Sequence, residues 1–245
     1  KYGNSIDNIL IALNEKRERI SVLNDYDSYL QKLEQQLAKK EKELAQISDE
    51  VSEIRQRSAV KLVSEIKSAL NDLNFLDVQF DMQFDRLPDY TANGIDAPEF
   101  LISTNPGEPL KPLGKVASGG ELSRIMLGIK TIMAENDHIE SLIFDEIDSG
   151  ISGRTAQMVS EKMNELGRNH QIICITHLPQ IAAMADAHFL IEKAVENKST
   201  VSRIRRLTDN DSVAELARML GGAKITDTVM ESAREMKALA MEKKI

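Results

Sequence analysis

A serine and two adjacent glycines stand directly before a predicted helix, in the stretch KVASGGELSRIML over residues 115–127. Two glycines weaken the start of a helix unless the backbone needs their freedom or small size. A helix N-terminus presents unpaired N–H groups and a partial positive charge, so Ser118, Gly119 and Gly120 are candidates to hold a phosphate. The alternative is an ordinary serine N-cap followed by a flexible hinge.

Two carboxylates follow a short apolar strand predicted in LIFDEIDSG, residues 142–150. Ligands of open α/β sheets bind beyond the carboxyl ends of the strands, so we expect Asp145 and Glu146 at such a crevice. Asp145 could hold Mg²⁺ through water, and Glu146 could orient or deprotonate an attacking water. The alternative is that the pair simply opens a solvated loop.

A second apolar strand, QIICIT, ends in Thr176-His177. A histidine there is expected to point into the same crevice; the alternative is a solvated loop. Cys174 and His177 have the C-x-x-H spacing of zinc ligands, but no further ligands follow, so we interpret Cys174 as a core residue. The pattern G-x-x-x-x-G-K-[ST] of a nucleotide-binding P-loop does not occur in the chain.

Composition sets limits on function. The 245 residues carry a net charge of −8, which gives no general attraction to nucleic acid or to an anionic membrane. A single cysteine rules out an intramolecular disulfide and fits a reducing cytoplasm. We find no apolar run long enough to span a bilayer. The chain opens at Lys1 rather than at a methionine, so we expect a fragment.

The elements that must position these residues begin with a helical arm over residues 1–74. From Leu30 to Ile54 apolar residues recur with the 3-4 spacing of heptads, which predicts a coiled coil. The polar segment NDYDS, residues 24–28, predicts a helical hairpin or a break in the helix. The alternative is a self-contained helical bundle.

Residues 75–245 are predicted to form a second, α/β domain. Strict alternation over residues 75–87 predicts a half-buried antiparallel strand, and EFLIST predicts its return. Helices over 119–135 and 153–167 then alternate with buried strands at SLIFDE, QIICIT and AHFLIEK. VSRIRRL is a candidate edge strand, and helices over 211–220 and 226–243 close the chain. The alternation predicts a mostly parallel sheet with flanking helices.

The order of these signals resembles the C-terminal lobe of an ABC-type ATPase head. Ser-Gly-Gly-Glu precedes a helix, Asp-Glu follows a strand, and a histidine follows the next strand; the coiled-coil arm in front resembles the SMC-like branch. The strings STNPGEPLKPLGKVASGGELSRIMLGIK, IFDEIDSGISGRTA and ITHLPQIAAMADAHFLIEK closely resemble a bacterial DNA-repair family of that branch. KYG at the amino end and ELARMLGG fit the same family, so the resemblance covers nearly the whole chain.

The resemblance implies a role for each candidate site residue. It assigns Ser118, Gly119 and Gly120 to the signature motif, which closes over the γ-phosphate of ATP held by the P-loop of a second head. It assigns the remaining positions to four further parts of the site: Asp145 to Mg²⁺ binding through water, Glu146 to activation of the attacking water, Asp148, Ser149 and Gly150 to the D-loop at the dimer interface, and His177 to the switch histidine near the γ-phosphate.

The resemblance also implies cofactors and partners. The cofactors are ATP and Mg²⁺, and the partners are a second head in a homodimer, the N-terminal P-loop lobe of the same protein, and DNA. The expected role is ATP hydrolysis between two heads in double-strand-break repair and recombination, in the cytoplasm at the nucleoid and without a membrane. Lacking a P-loop, the chain alone is expected to be inactive. A coiled-coil scaffold with a dimerising but non-hydrolysing head is the alternative.

Overall fold

The computed structural model describes residues 5–116, 118–134, 139–196, 199–222 and 224–244. The chain has a mixed α/β fold, as predicted. The described elements are, in chain order, α1 (Ile6–Asp72), β1 (Gln79–Thr91), β2 (Gly94–Ser103), β3 (Lys111–Pro112), a 3₁₀ turn (Leu113–Lys115), α2 (Gly119–Met133), β4 (Ser141–Phe144), α3 (Gly153–Leu166), β5 (Gln171–Cys174), α4 (Pro179–Ala183), β6 (Phe189–Glu196), β7 (Ser199–Arg206), α5 (Asp209–Gly221) and α6 (Asp227–Glu242).

Two compact units divide the chain. The first comprises Lys1–Ser58 and Arg86–Ala97, and the second comprises Ala59–Asp85 and Pro98–Ile245. The long helix α1 contributes residues to both units, as do strands β1 and β2. The division into an arm over residues 1–74 and a head lobe over residues 75–245 stays a prediction.

Helix α1 is continuous, so the predicted hairpin or break at residues 24–28 is wrong. The segment holds weak helix formers but neither glycine nor proline, and each such residue costs only a few tenths of a kcal/mol, roughly up to 0.7. Ser28 donates its hydroxyl hydrogen to the Asp25 carbonyl oxygen (2.9 Å), a local bond that an uninterrupted helix accommodates. The polar run is therefore a solvated stretch of helix.

The first unit leaves the heptad stripe of α1 in solvent. Leu37 and Ile47 are each 60% exposed. Near the end of this unit, the Asp96 carboxylate of β2 accepts hydrogen bonds from the Ser52 hydroxyl (2.7 Å) and from the Arg55 guanidinium (2.9 Å). These bonds, first from Ser52 and then from Arg55, lower the pKa of Asp96. Strand β2 is thus hydrogen-bonded to α1, whereas the apolar stripe of α1 is exposed and has the heptad spacing of a coiled-coil helix.

The second unit contains the main core. The last turns of α1 supply Ile66 and Leu70, and Leu73 follows directly after the helix. All three are at most 1% exposed and lie in one cluster with Ile125 and Leu127 of α2. Helix α2 comes close to α1 at Gly128, where a β-carbon would lie 3.1 Å from Leu70 Cδ2. The core thereby fixes α2, whose N-terminus carries the Ser-Gly-Gly segment.

Strands β4 and β5 form a parallel pair, with register from Ser141 opposite Gln171 to Phe144 opposite Cys174. One face packs on the core through Phe144, Leu142, Ile172 and Cys174. The other face is open, because Ile143 is 71% exposed, Ile173 47% and Ile175 52%. The prediction that these strands are buried therefore holds for the face on the core and is wrong for the other face.

The predicted third strand of the parallel sheet is instead half of a hairpin. Strand β6 pairs antiparallel with β7, from Phe189 opposite Arg206 to Glu196 opposite Ser199. Strand β7 was a candidate edge strand, and its residues 201–206 are exposed. Among the described strands, β4 and β5 are the parallel pair, and β1, β2 and β3 form a separate sheet. The predicted helices and strands occur in the predicted order, but β3 and α4 were not predicted, and the predicted pairing of β6 was wrong.

Candidate functional site

The site is built on the N-terminus of α2. Ser118 has an extended backbone (φ −98°, ψ 122°), and its hydroxyl oxygen accepts a hydrogen bond from the backbone N–H of Glu121 (3.4 Å). Ser118 is therefore an N-cap, the plainer of the two interpretations of this segment. Its side chain is also exposed, so Ser118 stays accessible to another molecule while it caps the helix.

Contacts within the chain explain both glycines. A β-carbon at position 120 would lie 2.8 Å from Ser149 Cβ and 2.9 Å from the Glu146 carbonyl oxygen, closer than side chains tolerate. A β-carbon at position 119 would lie 2.6 Å from Oε2 of Glu146, the end of a flexible side chain. The glycines let α2 approach the loop that follows β4, a contact that the sequence did not predict.

Arg124 holds this loop from inside the protein. Its guanidinium, 7% exposed as a residue, donates hydrogen bonds to the carbonyl oxygens of Ile147 (3.2 Å) and Ser149 (2.9 Å). It also lies over the Phe75 ring, with Cζ 5.7 Å from the centroid. Sequence reasoning missed Arg124. The signal was its placement between Gly120 and Gly128 at four-residue spacing, which puts all three on one closely packed face of α2.

The two carboxylates stand in a tight turn after β4. The Asp145 Oδ1 atom accepts a hydrogen bond from the Glu146 N–H (2.9 Å), and the Ser123 hydroxyl donates to the Asp145 carbonyl oxygen (2.9 Å). Glu146 has φ +56°, a left-handed conformation that costs a non-glycine residue on the order of 1–3 kcal/mol. Both carboxylates are exposed, and that of Glu146 lies against Gly119 at the N-terminus of α2.

His177 follows β5 and lies at the same edge of the sheet as Asp145, because the register places Phe144 opposite Cys174. Its side chain is 73% exposed, and its Nδ1 atom lies 3.0 Å from Oδ2 of Asp148. Asp148 itself is buried and also accepts hydrogen bonds from the Thr176 hydroxyl (2.6 Å) and the His177 backbone N–H (2.7 Å). Its neighbours Ser149 and Gly150 are exposed.

The metal-ligating potential of the site is limited. Within the described part of the chain, no three His, Cys, Asp or Glu side chains are arranged to hold a metal ion. Mg²⁺ needs few protein ligands, since it keeps water and takes substrate phosphates, so the exposed Asp145 carboxylate fits the predicted contact through water. Cys174 packs against the main core, as predicted, and burial above all, then the charges of Asp148 and Asp145, raise the pKa of its thiol to about 12.

The described helices include none that combines the length and apolar character needed to cross a bilayer. The amino-terminal KYG segment and Glu135, the predicted end of α2, lie outside the described residues.

Comparison with known proteins places the chain in a family. No family model matches it. It is 41% identical over 251 residues to the DNA repair protein RecN of Bacillus subtilis, across 96% of this chain and 44% of that protein. It is 40% identical over 244 residues to the DNA repair protein RecN of Halalkalibacterium halodurans, across 98% of this chain and 43% of that protein.

A solved structure shows the fold. The Smc head domain with a coiled coil and joint from Pyrococcus yayanosii matches with a TM-score of 0.57 at 19% identity, over 86% of this chain and 38% of that one. The chain spans less than half the length of the curated relatives it matches. It belongs to the RecN family of DNA repair proteins and corresponds to the C-terminal half of its members.

Proposed function

We propose that this chain is the C-terminal lobe of an ATPase head that hydrolyses ATP between two copies of a RecN-like protein during repair of DNA double-strand breaks. The observation that carries the proposal is the position of the Glu146 carboxylate. It lies in a strained turn beside the N-terminus of α2 and at the sheet edge that also presents His177. Water activation and anion binding therefore meet at one place.

In this proposal the exposed residues of the site contact the nucleotide, its metal ion and the attacking water. Glu146 accepts a proton from the attacking water, and His177 contacts the γ-phosphate. Mg²⁺, when bound, neutralises charge on the phosphates, and Asp145 would hold it through water. These roles agree with the exposure of all three side chains, which leaves them accessible to a ligand.

The signature motif acts on the opposite head. Ser118, Gly119 and Gly120 close over the γ-phosphate held by the P-loop of the second copy, and Ser149 with Gly150 crosses the interface as part of the D-loop. The exposed Ser118 at a helix N-terminus supports this assignment. The close approach of Gly120 to the loop after β4 accounts for that glycine within the chain, so Ser118 is the residue on which the trans role is tested.

The P-loop lobe is the second partner. We assign it to the part of the protein outside this chain, which spans 44% of the Bacillus subtilis relative. The open face of the β4–β5 pair, formed by Ile143, Ile173 and Ile175, supports the presence of a covering lobe, since exposed apolar faces of parallel sheets are association surfaces.

The proposal assigns DNA as a partner, and the cytoplasm at the nucleoid as the location, from the relatives' role in DNA repair. The net charge of −8 gives DNA binding no support.

The first test is phosphate release from ATP and Mg²⁺. We expect turnover by the full-length protein and none by the 245-residue chain above its Glu146→Gln variant, because the chain has no P-loop. Turnover by the isolated chain would refute the assignment of the phosphate cradle to the missing half. A full-length protein that dimerises but never releases phosphate would instead favour the scaffold function.

A further inference from the structure

One oxygen atom of Asp148 lies within hydrogen-bond distance of three nitrogen or hydroxyl groups of the two residues Thr176 and His177, which follow β5. Its Oδ2 atom lies 2.6 Å from the Thr176 hydroxyl, 2.7 Å from the backbone nitrogen of His177, and 3.0 Å from the imidazole Nδ1 of His177. The carboxylate is only 5% exposed, whereas the imidazole is 73% exposed. The buried Asp148 carboxylate therefore contacts Nδ1 of His177, while the rest of the imidazole ring lies in solvent.

The acceptor is fixed in place by its surroundings. Arg124 donates to the carbonyl oxygens of both neighbours of Asp148 in the chain, Ile147 and Ser149, and so clamps the loop on either side. The Thr176 hydroxyl, while donating to Asp148, accepts a hydrogen bond from the backbone N–H of Leu178 (3.0 Å). The contact between Asp148 and His177 is thus part of a connected network, which rigidifies its members.

The geometry points to Asp148 as a positioning residue that fixes the ring orientation and the tautomer of His177. A carboxylate can only accept, so the neutral imidazole must carry its proton on Nδ1. The Nε2 atom is then left unprotonated at the solvent side of the ring. Asp148 thereby acts through His177 and does not itself reach a nucleotide, in contrast to the interface role that its place in the D-loop implied.

The consequence for catalysis rests on the proposed function of His177 at the γ-phosphate. A ring held at Nδ1 presents Nε2 in a single direction, which preorganises any contact that Nε2 makes with a phosphate oxygen. Without Asp148 the ring would sample several rotamers and both tautomers. His177 would then be present but misdirected, and the turnover number would fall with little change in nucleotide affinity.

The test uses ¹⁵N NMR of the histidine side chains in the 245-residue chain, at a pH where the imidazoles are neutral. We expect His177 to show one tautomer, with the proton on Nδ1. In Asp148→Ala this preference should disappear and both tautomers should exchange, while Asp148→Asn, which keeps an oxygen acceptor, should retain part of it. Asp77→Asn, which changes an exposed carboxylate in the same unit, serves as the matched control and should leave the His177 signals unchanged.

His170 reports on the fold in the same spectra. Its Nδ1 atom lies 2.6 Å from the Ile139 carbonyl oxygen, so its own Nδ1–H tautomer should persist in every folded variant. A His177 tautomer that is unchanged in Asp148→Ala while His170 also stays unchanged would overturn the inference. So would a wild-type His177 protonated on Nε2.

Turnover by the full-length protein separates this inference from the proposed function. If His177 contacts the γ-phosphate, Asp148→Ala and His177→Ala should lower kcat, and the double variant should show no further loss, as expected for residues that act as a unit. If the tautomer is lost in Asp148→Ala but neither variant changes kcat, the positioning contact stands and the role of His177 in hydrolysis is wrong.

Discussion

The site has two layers that differ in what their side chains contact. The inner layer comprises Gly120, Arg124, Asp148 and Thr176, which are buried or half-buried and make close contacts or hydrogen bonds within the chain. The outer layer comprises Ser118, Glu146, Ser149 and His177, whose side chains are exposed. Residues a few positions apart along the chain thus meet different demands, packing in one layer and contact with another molecule in the other.

The same segment can thus hold residues with structural roles and residues exposed for contact with another molecule. Gly120 lies in the segment that we propose as the signature motif, yet contacts within the chain already explain it, since backbone atoms of Glu146 and Ser149 leave no room for a β-carbon. Nothing comparable in the described residues explains a glutamate at φ +56° with an exposed carboxylate. Substitution of Glu146 or His177 should therefore affect activity with little effect on folding, whereas inner-layer substitutions should also lower stability.

The largest effect is expected for Glu146→Gln in the full-length protein. The substitution keeps the shape of an outer-layer side chain but removes the proton acceptor, so kcat should fall by about 10² to 10⁴. ATP binding and the melting temperature should stay as in the wild type. Glu140→Gln, an exposed change a few residues upstream, is the matched control for the rate measurement. Normal turnover by Glu146→Gln would remove Glu146 from the chemistry.

The next effect concerns the Cys174 thiol, which lies on the inner side of β5. Its pKa is raised from 9.0 to about 12, chiefly by burial and then by the negative charges of Asp148 and Asp145. At pH 8 the reactive thiolate fraction should be about a thousandfold lower than in the unfolded chain. We expect slow labelling by a thiol reagent in buffer and rapid labelling in denaturant. Equal rates in the two conditions would show that this side of the sheet is open.

A smaller effect separates the two glycines at the boundary of the layers. In Gly120→Ala the new methyl group meets backbone, so overpacking of about 1–3 kcal/mol should outweigh a gain in helix propensity of up to about 1 kcal/mol. In Gly119→Ala only the end of the Glu146 side chain must move, so stability should change little. Gly114→Ala, with no atom within 4 Å of the new carbon, is the control.

Urea denaturation of the three glycine variants measures these differences as changes in midpoint at constant slope. A Gly120→Ala variant as stable as Gly114→Ala would mean that α2 and the loop after β4 do not approach as closely as described. The packing of α2 against this loop, on which the description of the inner layer rests, would then be wrong.

Short sequence patterns marked the positions of the outer layer, whose roles stay predictions, but they did not predict the contacts of the inner layer. Ser118, Glu146 and His177 stand directly after or before an element boundary, where a short pattern marks them, and the structure places all three at exposed positions. The contacts of Arg124 with Ile147 and of Asp148 with His177 join residues 23 and 29 positions apart, and no local periodicity encodes them. The one local indication was the pair of glycines flanking Arg124, which marks a closely packed face of α2.

The elements show the same division between local and long-range information. Helices α2 and α3 were predicted because their apolar periodicity is local. The continuity of α1 was missed because polar residues were interpreted as a turn, although none of them is incompatible with a helix. The pairing of β6 with β7 was missed because an apolar strand does not by itself indicate its neighbour.

We propose that Ser118 acts on nucleotide held by a second head, and this role is central to the proposed function. In the full-length protein, Ser118→Arg should leave ATP binding intact but block closure of the two heads, and a P-loop variant should fail for the complementary reason. Once the two variants exchange subunits, heterodimers contain one composite site with an intact P-loop on one copy and an intact Ser118 on the other.

The decisive measurement is the ATPase rate as a function of the mixing ratio of these two variants. We predict that activity rises from background to a maximum in the mixture and falls again towards either pure variant. If Ser118 is only an N-cap, its replacement costs about 1 kcal/mol of helix stability and mixing restores nothing. A rate that stays at background across all ratios, with subunit exchange verified, would contradict action of the signature motif across the dimer.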